Sequence, residues 1–283
     1  MNCHRPFTLN IRGRLTDFPR PVVMGIVNAT PDSFFAGSRA ATADAVRARV
    51  AEMRAAGADM LDIGGYSSRP GAPEVSTEEE CRRLELALSA ARQEWPEAVV
   101  SVDTFRAQVA RRCVEEWGAD IVNDIGGGTL DPEMWPTVAE LRVPYVLMHM
   151  RGTPETMSQL TDYDDVAADV VRDLAFKIDS LRQLGVADVI VDPGFGFAKT
   201  IDQNFRLLAR MEEFKALGAP LFVGVSRKSM VYKTLGVTPE ESLPGTSALN
   251  TMALERGADI LRVHDVAEAV QVRAMVEKVF END

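Results

Sequence analysis

Five segments of this chain share one shape, a short apolar run that stops abruptly at polar residues suited to chemistry. They are Val22–Phe34 (VVMGIVNATPDSF), Asp59–Gly71 (DMLDIGGYSSRPG), Ala98–Phe105 (AVVSVDTF), Asp188–Lys199 (DVIVDPGFGFAK) and Asp259–Asp265 (DILRVHD). A strand that is apolar without alternation is buried on both faces, as in a parallel sheet covered by helices. When successive strands deliver their polar residues at the same end, the chemistry gathers on one edge of the sheet. In (β/α)8 barrels that edge is the carboxyl-terminal face. The repeated shape predicts an α/β fold, a (β/α)8 TIM barrel with its functional groups at one rim.

The rest of the chain supports eight units. Strands are expected at about Val22–Val27, Met60–Ile63, Val99–Val102, Asp120–Val122, Tyr145–Met148, Val189–Val191, Leu221–Val223 and Ile260–Val263. Helices are expected between them at Thr42–Ala56, Glu78–Glu94, Arg106–Trp117, Glu133–Leu141, Val166–Leu184, Gln203–Leu217, Ser247–Arg256 and Val266–Phe280. Several stop at a glycine, the usual helix terminator. Ser76-Thr77-Glu78-Glu79 resembles a capping box. In the last helix Val266, Ala269, Val270, Val276 and Val279 form an apolar stripe that can pack on the barrel. The first twenty residues, including FTLNIRGRLTDF, are read as a small hairpin outside the eightfold pattern.

At 283 residues the chain fits one barrel domain over 1–283, with no linker or low-complexity tract. With 31 basic against 42 acidic residues, a net charge of -11, it lacks the basic surface of a nucleic-acid binder. An anionic substrate would need local cations or a metal. Cys3, Cys81 and Cys113 are far apart in sequence and form no CxxC pair, so reduced thiols in a cytoplasmic protein are expected. No apolar run is long enough to cross a bilayer. The GxGxxG, Walker, GxSxG and HExxH patterns are all missing, which removes support for hydride transfer, P-loop phosphoryl transfer, elbow-serine chemistry and zinc hydrolysis.

The strand ends carry the candidate site. Asn28 ends the first strand; a turn or cap is the commoner use of such a residue, but its carbonyl oxygen also suits a hard cation such as Mg2+. Gly64–Gly71 reads either as a plain connection with a surface Arg69 or as a small polar loop able to fold over a phosphate. Asp103, Asn123 and Asp192 each suit a cap, but three together on one mouth point to a ligand. Asp192 could accept two parallel hydrogen bonds from the N–H/NH2 edge of a 2-aminopyrimidinone, and Asn123 offers both donor and acceptor to the same ring. Met148 and Phe197 could face a flat heterocycle, although core packing is their commoner use. Lys228, just past the seventh strand among Ser226, Arg227 and Ser229, is read as a hydrogen-bond donor to substrate rather than a Schiff-base former. Arg262 and His264 alternate across Val263 and project to one side, near where many barrels bind phosphate. His4 and His149 are read as structural.

Taken together, NATPDSF, DIGGYSSRPG, SVDT, NDIGGG, DPGFGFAKT, GVSRKS and GADILRVHDV closely resemble the dihydropteroate synthases, from about Val22 to Val266 and in order. The resemblance implies a folate-pathway transferase that joins 6-hydroxymethyl-7,8-dihydropterin pyrophosphate to 4-aminobenzoate with Mg2+, a target of sulfonamides and a homodimer. It implies that Asp103, Asn123, Asp192 and Lys228 hold the pterin, with Met148 and Gly224 lining its slot. Asn28 would ligate Mg2+, and Arg262 and His264 would bind pyrophosphate. Ser68, Arg69 and Pro70, with Phe34, Phe197, Lys228 and Ser229, would shape the aminobenzoate site. Lys228, Arg262 and His264 are the residues implied to carry catalysis. This chain departs from the family pattern at Ala36, where a loop carboxylate is usual, at Tyr66, where Glu is common, and at Ser68, where Thr is common. The rival readings are a methyltetrahydrofolate–corrinoid methyltransferase and a pterin-binding paralogue without catalysis. Turnover with 4-aminobenzoate separates them.

Overall fold

The computed structural model describes residues 5–29, 39–66 and 74–282. Strands β1 (Phe7–Ile11) and β2 (Arg14–Phe18) form an antiparallel hairpin. Its two-residue turn places Arg12 at φ 52° and Gly13 at φ 77°, the paired left-handed conformations that match hairpin twist. Arg12 is held there by Asp120, its Nε donating to Oδ1 at 2.6 Å.

Eight parallel strands follow among the described residues: β3 (Val22–Asn28), β4 (Met60–Gly64), β5 (Val99–Asp103), β6 (Ile121–Asp124), β7 (Tyr145–Met148), β8 (Val189–Asp192), β9 (Phe222–Val223) and β10 (Ile260–Val263). Each pairs with its sequence neighbour except at the seam between β8 and β9, and β10 returns to β3. The seam between β8 and β9 is joined by a bridge from Val191 to Leu221, with the Val191 N–H donating to Pro220 O at 2.8 Å. This is the nearly closed barrel that the repeated strand pattern predicts.

Side chains alternate across each strand, so one set faces the barrel axis and the other the helices. The outward set, including Val23, Leu61, Ile63, Val100, Val122, Leu147, Val191, Val223 and Leu261, packs into one large core with the helices. The inward set begins with a separate apolar layer of Met24, Met60, Ile121, Val146, Ile190, Phe222 and Ile260. Leu9, Ile11 and Phe18 of the hairpin belong to this layer and plug the amino-terminal end of the barrel. One pleat further along the same strands stand Asp62, Ser101, Asn123, Met148, Asp192 and Arg262. The floor is apolar, and the polar groups lie above it towards the opposite mouth.

The covering helices are α1 (Arg39–Ala55), α2 (Thr77–Glu94), α3 (Ala107–Glu115), α4 (Met134–Leu141), α5 (Val166–Gln183), α6 (Ile201–Ala209), α7 (Ser229–Leu235), α8 (Leu243–Glu255) and α9 (Val266–Phe280). Gly57 and Gly257 follow helices at φ 90° and 92°, as terminators should. Several details differ from expectation. The helix expected over 203–217 is α6 followed by a 3-10 stretch, Met211–Leu217. The break is at Arg210, whose guanidinium turns to Asp165 and Glu213. Helix α7 was not expected because its seven residues are too few to show a period. The Ser76 side chain does accept from the Glu79 N–H, but the reciprocal capping box is found instead at Thr200 and Gln203. In α9, Val266, Ala269 and Val276 are buried as the stripe predicts, whereas Val279 is 63% exposed.

Candidate functional site

Parallel strands that begin in an apolar floor place their inward polar residues beyond it, and there they meet. Asp103 ends β5 and Asp192 ends β8, while Asn123 stands one residue before the end of β6. The Asp192 Oδ1 accepts the Gly194 N–H at 2.7 Å, which turns the chain sharply after the strand. That turn needs glycine: Gly194 has φ 73°, and a Cβ there would lie 2.0 Å from His149 O. Burial raises the Asp192 carboxyl above its ordinary range, against the lowering charge of Lys228.

Lys228 lies between β9 and α7, its Nζ donating to Phe195 O at 2.6 Å and standing 5.0 Å from the Phe197 ring centre. Burial lowers the ammonium to about 8, offset in part by the negative charge of Asp192. A Cβ on Gly224 would stand 3.8 Å from both Lys228 Nζ and Arg262 Cβ, so this bare position lies between the Lys228 ammonium and the stem of Arg262. Met148 is buried in an apolar cluster with Ile125, Met150, Met157 and Ala198, against which Phe197 packs. Ser229 opens α7, next to Lys228.

Arg262 is placed differently from a free anion site. Its Nε donates to Asp62 Oδ2 at 2.5 Å, and its Nη2 donates to Asp103 Oδ2 at 2.8 Å. The same Asp62 oxygen accepts from Asn123 Nδ2 at 3.1 Å. Burial raises the Asp103 carboxyl to about 7 even though the Arg262 charge opposes it. His264 is fixed through its ring and backbone: Nδ1 is 3.0 Å from Ser226 Oγ, which also accepts the His264 N–H at 3.2 Å.

Asn28 ends β3 half-buried, opposite Gly64 in the parallel register. Among the described residues no group of three or more His, Cys, Asp or Glu side chains could hold a metal by itself. Phe34, Ser68, Arg69 and Pro70, together with Ala36, lie outside the described residues. Tyr66 is described; its ring packs edge-on to Phe105 at 5.1 Å, with the Arg106 guanidinium 5.5 Å from its centre.

Two buried residues of this mouth were missed by sequence reasoning. Asp62 is fully buried in the middle of β4; the available signal was a carboxylate inside the apolar run Met-Leu-Asp-Ile. Lys199 places Nζ 3.0 Å from Gly194 O, 3.1 Å from Phe197 O and 3.1 Å from His149 Nδ1. Burial brings Lys199 down to about 7. His149 falls to about 2, by burial and then by the Lys199 charge, and stays neutral. Both tie the 194–199 turn to β7, which agrees with a structural His149.

This arrangement offers carboxylate acceptors, an amide and an ammonium to a flat ring bearing N–H groups, with an arginine and a histidine on the neighbouring strand. The pattern of the pterin binding enzyme family matches residues 24–264. The dihydropteroate synthase of Escherichia coli is 44% identical over 269 residues, covering 94% of each chain. The Xanthomonas albilineans dihydropteroate synthase solved with 4-aminobenzoic acid superposes with a TM-score of 0.88 at 39% identity, covering 96% of this chain and 98% of that one. The Yersinia pestis dihydropteroate synthase in a sulfonamide complex gives 0.89 at 39% identity, covering 97% and 100%.

Proposed function

The chain belongs to the pterin binding enzyme family, among the dihydropteroate synthases, and from that premise we propose how its own residues carry out the synthase reaction. The substrates are 6-hydroxymethyl-7,8-dihydropterin pyrophosphate and 4-aminobenzoate. A C–N bond forms at the pterin methylene, the C–O bond to pyrophosphate breaks, and the aryl amine gives up a proton. The observation that carries this reading is the convergence of Asp103, Asn123, Asp192, Lys228 and Arg262 on one mouth, above an apolar floor.

Asp192 and Asn123 take the amino and ring N–H groups of the pterin, and Lys228 donates to its acceptor side. Met148 and Phe197 cover the ring and keep water from it. Arg262 and His264 neutralise the departing pyrophosphate. The departing carbon is conjugated to an electron-rich ring, so departure precedes attack. The aromatic amine needs no base to react, and none is assigned; the protein holds the cation dry beside the amine. Ser68, Arg69, Pro70, Phe34 and Ser229 complete the aminobenzoate site in this reading, and sulfonamides compete there.

Mg2+ belongs to the proposal. Asn28 presents one hard oxygen at the mouth, and Mg2+ is commonly held by one or two protein oxygens plus phosphates and waters, so the donor set fits. When bound it supplies charge neutralisation to the leaving pyrophosphate. A homodimer is also proposed, supported by exposed apolar side chains on the last helices, Leu235, Met252, Met275 and Val279. A cytoplasmic location is supported by Cys81 and Cys113, which are buried and free of disulfides. No helix of the described residues is long and apolar enough to cross a membrane.

The test is product formation from both substrates with Mg2+, run beside Lys228→Ala. The proposal expects dihydropteroate from the unaltered chain and a severe loss in the variant. Pterin binding without product from either protein refutes it.

A further inference from the structure

Asp62 is a costly residue to keep. It is fully buried, and among the described residues its Oδ1 accepts no hydrogen bond and its partners Asn123 and Arg262 share Oδ2. Replacing a buried ion pair by well-packed apolar side chains is often neutral or stabilising, so stability gives no reason for a carboxylate here. Its position supplies one. In the strand register Asp62 lies opposite Ser101, while Asp103 lies opposite Gly64, one pleat nearer the mouth. A ligand entering from the mouth meets Asp103 first and Asp62 last.

Arg262 is held by both carboxylates through different nitrogens: Nε on Asp62 at 2.5 Å and Nη2 on Asp103 at 2.8 Å. If the pterin takes Asp103, its N–H competes with Nη2 for the same carboxylate, and only the Nε contact survives. We propose that Asp62 is a positioning residue of the reaction, anchoring Arg262 by Nε and Asn123 by Nδ2 while Arg262 Nη2 passes from Asp103 to the departing pyrophosphate. This rests on the synthase reading above. It adds that occupation of the pterin slot releases the arginine for the leaving group, with Asp62 as the fixed pivot and Asp103 as the exchangeable partner. One oxygen then couples the ring-binding amide to the leaving-group cation.

Steady-state kinetics on Asp62→Asn, which keeps volume and removes charge, tests the pivot. The rate kcat falls about tenfold or more, while KM for 4-aminobenzoate stays within about twofold. In the Arg262→Ala background the same change has little further effect, because Asp62 acts through the missing guanidinium. Wild-type turnover reports on the synthase reading by itself. The pivot is overturned if the wild type turns over and Asp62→Asn keeps its kcat, or if the two substitutions multiply independently. A second measurement needs no variant at position 62. Nitrogen-15 NMR of arginine side chains in the wild-type protein, with Arg262→Lys identifying the signal, reads solvent exchange at Arg262 Nε. The pivot requires slow Nε–H exchange both with and without the pterin substrate. Free exchange in its presence overturns it.

Discussion

Asp192 already gives Oδ1 to the Gly194 N–H at 2.7 Å. In Asp192→Asn the amide oxygen must keep that contact, so its NH2 turns to the ring and donor faces donor. An unpaired buried group costs about 1–3 kcal/mol. Calorimetry should therefore show affinity for the pterin pyrophosphate falling about tenfold or more; unchanged affinity removes Asp192 from the slot. The pH dependence follows from two displaced groups. Asp103, raised to about 7 by burial, loses its acceptor form as pH falls through that value. Lys228, lowered to about 8 by burial, loses its proton as pH rises through that value. Because kcat/KM reports the free enzyme, its profile for the pterin substrate should be bell-shaped between these limbs. Lys228→Arg should remove the alkaline limb, since arginine does not deprotonate in this range. A flat profile from pH 6 to pH 9 would contradict both assignments.

Several strands were readable because they end an apolar run at residues with chemistry, and Asp103 and Asp192 are the last residues of β5 and β8. What escaped has physical reasons. Asp62 is buried within β4 rather than at its end, so a search of strand ends passes over it. The Arg262 pairing joins residues 200 positions apart and depends on side-chain reach, which no spacing encodes. Helix α7 is too short to show a period, and Arg210 breaks the helix before it by turning to Asp165. The hairpin was foreseen, but its role as a plug appears only when Leu9, Ile11 and Phe18 are seen against Met60, Ile190 and Phe222. That role gives a prediction at the same scale. Leu9 is fully enclosed, so Leu9→Ala should cost about 2–5 kcal/mol of stability. Urea unfolding should show this loss while KM for both substrates is unchanged, because the plug closes the end opposite the site. A large change in KM with no loss of stability would mean that the floor is not structural.

Across the whole molecule, binding events at the one mouth are expected to depend on one another. In the proposed reading pyrophosphate and Mg2+ complete the aminobenzoate site, so 4-aminobenzoate should bind the protein alone weakly and bind tighter once both are added. Titration with and without them reads the coupling directly, and equal affinities contradict it. Chelation of Mg2+ should accordingly slow turnover. Ala36, where the family usually has a carboxylate, removes one contact of a kind that can contribute about 2.7–4 kcal/mol to a transition state. Asn28, Arg262 and His264 remain, and Mg2+ readily keeps waters in vacant positions, so the chain is expected to turn over. The central claim is that ring, leaving group and amine meet at this one mouth, where the pyrophosphate leaves first and the amine then attacks. Its most direct test is a timed reaction of the unaltered chain with both substrates and Mg2+, measuring dihydropteroate and pyrophosphate together. Over many turnovers equal amounts of the two are expected, with sustained formation only when 4-aminobenzoate is present and a fall to background in Lys228→Ala. Sustained pyrophosphate release without dihydropteroate, or no product at a rate above that variant, would contradict it.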